Sequence, residues 1–406
     1  MAPLIRALGP GVIYAASAVG VSHLVQATRA GAEYGLALIP AMVAFALLKY
    51  PAIRFGGEYA ALAGETIIDR YARAGRPVLW AVGVLVVMQM TLTFPAVLAL
   101  TAGLTANVFA LRMPLSMVAA AIVVPVCVLV AVGRYRAVET VTVWLVLALA
   151  ALVVSATVLT VPAVPWDTAG VKPDPFDGRT LFFCLALAGF MPTPVDGGLL
   201  TSLWVDARRR AGIAVTGPDA RRDFDIGYFG ALALGVCFCL LGAAVMFGRT
   251  TGFAASAPGF AGQVLALFTE AVGEALFPLI AAAALAVMLS TVLALADGLP
   301  RVLARTLALG LGGRGGDALA RLVALQGLVS VAVIHFFLGA FTTFVDVVTF
   351  VSFLVSPLLA WLNHRAMFGA DGPAGAPGGR IACWSLFGAI GLTATAVVYL
   401  AVRLVD

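Results

Sequence analysis

The chain has 406 residues, 62% hydrophobic and 11% charged, with a mean hydropathy of +1.05. That composition suits lipid far better than water and excludes an ordinary soluble domain. The net charge of +5 reports membrane insertion and implies no nucleic-acid partner.

Eleven hydrophobic spans are predicted, at 9–32, 36–62, 78–104, 114–132, 138–161, 180–204, 225–248, 270–296, 318–339, 341–363 and 381–403. Each is long enough to cross about 30 Å of hydrocarbon at 1.5 Å per residue. The runs are continuous and lack the alternation of barrel strands, so the spans are helices. Span one is interrupted at Val19-Gly20-Val21-Ser22-His23; Gln26 follows one turn above Ser22, and Arg29 and Glu33 are spaced to pair near the outer mouth. Span two carries Lys49, Arg54 and Glu58 around Pro51 and Gly56-Gly57, with Arg54 and Glu58 spaced to pair toward an inner vestibule and a snorkelling position as the plain alternative. Span three holds Gln89, a coupling candidate, and no acid.

Span six is interrupted at Met191-Pro192-Thr193-Pro194, where the prolines remove helical hydrogen bonds at membrane depth. Such a break persists only where protein, water or a ligand satisfies the freed backbone. Thr193-Pro194-Val195-Asp196 reads as a capping-box-like restart, so Asp196 either caps the second half-helix or faces the cavity. The 205–224 loop, with Arg208-Arg209-Arg210 and Arg221-Arg222, reads as a cytoplasmic lipid anchor or topology signal. Asp297 marks the expected cytoplasmic end of span eight, Asp346 in span ten is a second coupling candidate, and His335 and His364 read as interfacial. The five cysteines lie within predicted spans without a CxxC pattern and read as small buried residues. Gly310 to Gly316 lacks a Walker pattern, and no cofactor is expected.

Arg-rich segments fall on one side of this topology. With a cytoplasmic N-terminus the inner segments hold Arg6, Arg70, Arg73, Arg76, Arg134, Arg208, Arg301, Arg314 and Arg365, among others. The outer ones hold only Arg112, Lys172, Arg179, Arg249 and Arg403. That bias supports the odd span count, a C-terminus outside and, with the Arg-rich, Lys-poor usage, a bacterial inner membrane. No cleavable signal is expected, because the first apolar run continues as a span.

Spans one to five (9–161) and six to ten (180–363) each open on a broken helix. An odd repeat of five places the halves in opposite orientations, as inverted repeats, with span eleven (381–403) appended. The expected architecture is all-α and polytopic, of the leucine-transporter type. Gly9-Pro10-Gly11, the stretch Ala30-Gly31-Ala32-Glu33-Tyr34-Gly35, and Ala188 with Met191-Pro192 resemble the Nramp (natural-resistance-associated macrophage protein) family of divalent-metal transporters. The resemblance implies a metal site of Asp and Asn in the first break and Met and His in the second. Counted from Gly9-Pro10-Gly11, the first-break positions are Gly20, Val21, Ser22 and His23, so Gly20 replaces the Asp and His23 the Asn. In the second break Met191 is kept and Thr193 replaces the His. The acids on which the family relies in span three are missing too.

Removing the carboxylate leaves two half-helix N-termini, near Ser22 and Thr193, each presenting about half a positive charge to the membrane centre. Ser22, Thr193 and His23 can donate hydrogen bonds, and His has a reference pKa of about 6.5. The sequence therefore favours a secondary transporter of a small anion, bicarbonate-like or a small carboxylate. Substrate would bind at Gly20, Ser22, His23, Gln26, Met191 and Thr193, with coupling or gating by Arg29, Glu33, Arg54, Glu58, Gln89 and Asp196. The alternative is a divalent-metal transporter with ligands rearranged around Met191, His23 and Asp196. No paired nucleophile and base or HExxH motif suggests an enzyme, and beyond lipid and a small ion no obligatory partner is expected.

Overall fold

The computed structural model describes residues 18–132, 136–170, 177–248, 252–313, 318–337 and 339–405. Gly9-Pro10-Gly11, the first half of span one up to residue 17, and Arg6, Arg134, Lys172, Arg249 and Arg314 lie outside the described residues.

Regular structure among the described residues is helical throughout. A π-helical turn, Ser22–Ala27, leads into α1 (Thr28–Tyr34). Then come α2 (Ile39–Ala63), α3 (Ile67–Ala74) and α4 (Arg76–Met88), the last continuing through a second π-helical turn, Gln89–Thr93, into α5 (Phe94–Val108). Next are α6 (Leu115–Val132) and α7 (Arg136–Thr160). The sixth predicted span is divided into α8 (Gly178–Phe190) and α9 (Gly197–Arg210). After them come α10 (Gly217–Met246), α11 (Ala257–Val272), α12 (Phe277–Gly310), α13 (Ala318–Phe337), α14 (Phe341–Phe368) and α15 (Gly379–Val405). Seven helices among the described residues are long and apolar enough to cross a membrane.

Local chemistry sets several of these bounds. The Asp177 carboxylate accepts the Thr180 N–H at 2.9 Å and starts α8. A capping box between Thr216 and Asp219 starts α10 at Gly217, ahead of the predicted 225. Ser256 caps α11, with Pro258 in its first turn; this helix and α3 fall in segments read from sequence as loops. The predicted 270–296 span is corrected to Phe277–Gly310. Asp297 accordingly does not end it, but lies buried inside α12 with its Oδ1 2.6 Å from Arg301 Nε.

Lipid offers apolar side chains little reason to cluster, so close backbone approach and interhelical hydrogen bonds carry the packing. α8 packs on α14, α1 on α10, and α9 on α2. The α2–α9 crossing is the tightest kind of contact: a Cβ on Gly56 would fall 1.9 Å from the Gly198 carbonyl oxygen. This crossing fixes the second half of span six against span two, directly beside the break.

Candidate functional site

In the first break the helix is interrupted at Val19 and Gly20. The Gly20 carbonyl then accepts the N–H groups of His23 and Leu24, both at 3.0 Å, and winding resumes as the π-helical turn. Gly20 faces Thr291 of α12, whose hydroxyl lies 3.1 Å from where a Cβ would sit. Ser22 Oγ is 2.9 Å from the Ala18 carbonyl and 2.7 Å from His23 Nδ1. His23 Nε2 donates to the Ala231 carbonyl of α10 at 2.8 Å. With that nitrogen carrying the proton of a neutral ring, the one Ser22 hydroxyl proton serves either Ala18 or His23, not both.

In the second break α8 ends as the Met191 N–H reaches the Leu187 carbonyl at 2.9 Å. The Met191–Pro192 peptide bond is cis. Short turn bonds from Gly197, Gly198 and Leu199 back to Pro194, Val195 and Asp196 start α9. The capping-box reading is corrected here: Asp196 occupies the cap position, but no side chain caps the helix. Behind the break, fully buried Lys49 of α2 donates from Nζ to the carbonyls of Ala188 at 2.6 Å, Gly189 at 3.2 Å and Thr193 at 2.9 Å. Its snorkelling alternative does not hold. Each helix end at this break thus meets an opposite charge: Lys49 at the carbonyl end of α8, Asp196 at the N–H end of α9.

Between the breaks lies a cavity of about 50 Å³, room for a small ion or a few waters. Gly20, Ser22, Thr193 and Asp196 line it from the breaks, Gln89 and Thr93 from span three, and Thr291 from α12. Asp196 is the only ionisable group among the described residues lining it. Gln89 sits in the π-helical turn of span three and accepts the Thr93 hydroxyl.

Several expected ligands are elsewhere. His23 is turned away from the cavity, both ring nitrogens engaged, its edge against Phe238 at 6.0 Å between centroids. Met191 points the same way: its Sδ lies 2.6 Å from where a Cβ would sit on Gly235, filling the space that glycine leaves on α10. Gln26 donates to Asp346 at 3.0 Å and Thr349 at 2.9 Å on α14, again outside the cavity. His23, Gln26 and Met191, expected as substrate ligands, are thus not among the residues that line this cavity.

Gln26 belongs instead to a charged layer over the cavity. Arg29 bonds Glu33 at 3.0 Å and Asp346 at 2.7 Å, and its guanidinium lies 4.9 Å from the Phe183 ring centre. The expected Arg29–Glu33 pair is present and joined to Asp346. Beyond it opens a vestibule of about 910 Å³, which Arg29, Glu33, Asp346, Asp177 and Arg179 help to line. There the Thr180 hydroxyl and N–H hold the Asp177 carboxyl below the usual carboxylate range. The Arg54–Glu58 pair also forms, at 2.7 Å, and is buried beside Tyr50. Tyr50 carries the network to Asp225 of α10 at 2.6 Å.

Three site residues escaped the sequence reading. Thr93 and Thr291 look like ordinary span threonines, and only the packing of α5 and α12 brings them to the breaks. Lys49 had a signal, a lone ammonium in an apolar run, but its partners are carbonyls more than a hundred residues away in sequence.

No family model matches the chain. An uncharacterised protein of Pasteurella multocida (strain Pm70) is 28% identical over 403 residues, covering 97% of this chain and 92% of that protein. A mutant of the Eremococcus coleocola manganese transporter superposes with a TM-score of 0.72 at 15% identity, over 96% of this chain and 85% of that one. MhsT, in complex with L-phenylalanine, gives a TM-score of 0.66 at 15% identity, over 97% and 98%. Mhp1, a nucleobase-cation-symport-1 family transporter, gives 0.61 at 14% identity, over 98% and 91%. The fold is therefore that of the leucine-transporter type, an integral membrane architecture shared by secondary transporters.

Proposed function

We propose that the chain is a secondary transporter, related to the Nramp family, that moves a small monovalent cation by alternating access around the two breaks. The observation that carries this reading is Asp196, the single ionisable side chain among the described residues lining the cavity where the breaks meet. A carboxylate at the N–H end of α9 offsets the positive half-charge that would otherwise attract an anion. Ser22, Thr193, Thr291 and Gln89 add oxygens beside it, in a cavity otherwise walled largely by apolar side chains. With Lys49 at the α8 end and Asp196 at the α9 end, the break carries no large excess of negative charge, so it suits an ion of low charge, whereas a divalent ion would keep an unbalanced charge in low dielectric. The anion favoured on sequence depended on His23 as donor and on a cavity without an acid; neither condition holds in this geometry.

The divalent-metal alternative draws on the likeness to the manganese transporter. Against it, no group of three or more His, Cys, Asp or Glu among the described residues is placed to hold a metal, and Met191 faces Gly235. Gly20, Ser22, Thr193, Asp196 and Gln89 form the substrate site on this reading, with Arg29, Glu33 and Asp346 as the gate toward the vestibule. Residues 9–161 and 180–363 act as the two inverted repeats, followed by 381–403. The Arg bias supports a bacterial inner membrane with the vestibule outside.

The test is tracer flux in proteoliposomes, comparing rubidium and methylammonium with manganese and bicarbonate. Monovalent-cation uptake that falls at least about tenfold in Asp196→Asn, a loss of about 1.4 kcal/mol, supports the reading. Bicarbonate uptake unaffected by Asp196→Asn contradicts it.

A further inference from the structure

We infer that Lys49 is a built-in cation: its ammonium group fills a carbonyl site, at the end of α8, that would otherwise bind a free small monovalent cation. Lys49 is fully buried, and its Nζ contacts three carbonyl oxygens at 2.6, 3.2 and 2.9 Å. An ammonium has three protons and no acceptor, so these contacts use its whole donor capacity. The three carbonyls, of Ala188, Gly189 and Thr193, surround the break, and the first two belong to the last turn of a half-helix. That end carries unsatisfied carbonyls and about half a negative charge. Half-helix carbonyl ends and unwound backbone in broken-helix transporters are cation sites for the same reason.

A side chain merely crossing the membrane would send its charge to the interface along a flexible stem. Lys49 sends it inward, to the point where two prolines have freed the backbone. The carboxylate in electrostatic reach is Asp196, across the break, so ammonium and carboxylate hold the two helix ends of span six from opposite sides. The consequence is a break that needs no dissolved cation to keep its shape. Remove the ammonium, and three convergent oxygens remain around a vacancy suited to ammonium, methylammonium or potassium.

This inference rests on the contacts at Ala188, Gly189 and Thr193 and not on transport, so it is tested by cation binding. The purified full chain in detergent is melted in potassium, ammonium, methylammonium and choline chlorides at equal ionic strength. The wild type sets the baseline in each salt, including whatever cation binding at the Asp196 cavity contributes, and Lys49→Ala is read as the difference from it. Lys49→Ala should melt roughly 5 °C or more lower in choline. It should regain most of that shift, saturably, in methylammonium or ammonium, because a ligand that binds only the folded state raises its stability. A Lys49→Ala protein whose melting temperature depends on the salt no more than that of the wild type would overturn the inference. If that variant yields no folded protein, Lys49→Gln is compared, which keeps donors but removes charge. A melting temperature well below wild type supports the built-in cation, and one equal to wild type overturns it.

Discussion

Asp196 illustrates how one residue can be located by sequence and still be misread. The double-proline break placed it at the crossing point, and its spacing from Thr193 suggested a capping box. The turn that starts α9 uses backbone groups alone, leaving the carboxylate to line the cavity. Ser22, Thr193 and Gly20 were legible for the same reason as the break itself: proline, glycine and hydroxyl residues in an apolar run are a local signal. His23 and Met191 were not legible as packing groups. The π-helical turn over Ser22–Ala27 departs from α-helical spacing, so the face inferred at 3.6 residues per turn is displaced. His23→Ala should leave the Ala231 carbonyl without its donor and lower stability by about 1–3 kcal/mol. Its apparent affinity for transported ion should stay within about twofold of wild type, since the ring does not line the cavity. Thermal melting and concentration-dependent flux on the same preparation separate the two effects.

Among the elements, long apolar helices such as α2 and α14 were read within a few residues of their bounds, because hydrophobic length is imposed by the bilayer. Of the helices missed, α3 is short, polar and capped by Thr66 with Asp69, while α11 is apolar, starts at the Ser256 cap and at 16 residues falls short of a full span. The α2–α9 contact was invisible, since nothing in sequence pairs Gly56 with Gly198. Gly56→Ala would place a methyl 1.9 Å from the Gly198 oxygen, forcing the helices apart at the break. We expect a loss of about 1–3 kcal/mol or more, read as a lower melting temperature, together with impaired flux. Beside α3, hydrogen bonding to Arg73 lowers the Glu65 carboxyl below its ordinary 4.5. A depressed carboxylate contributes stability that is present above the unfolded value and fades as pH falls through the folded one. Hydrogen-exchange protection factors across α3, referenced to the intrinsic rate at each pH, should therefore be high at pH 6 and fall below 4.5, a fall weakened in Glu65→Gln.

For the molecule as a whole, the fold was readable from two paired breaks and the length of the apolar runs, and the likeness to solved transporters agrees along nearly the whole chain. The substrate was not, because its sign depends on which side chains turn inward, a property of tertiary packing. The Arg29–Glu33–Asp346 network lines the wide vestibule, and on the proposed reading it closes the small cavity from that side. Arg29→Gln should weaken that closure, raising the rate at which an impermeant thiol reagent reaches a Ser22→Cys probe by on the order of tenfold. The most direct measurement is the current of proteoliposomes on a solid-supported membrane under imposed ion gradients. Asp196 at the crossing point predicts a transient positive current along a monovalent-cation gradient, abolished in Asp196→Asn. A current driven instead by a bicarbonate or acetate gradient, and retained in Asp196→Asn, would contradict it.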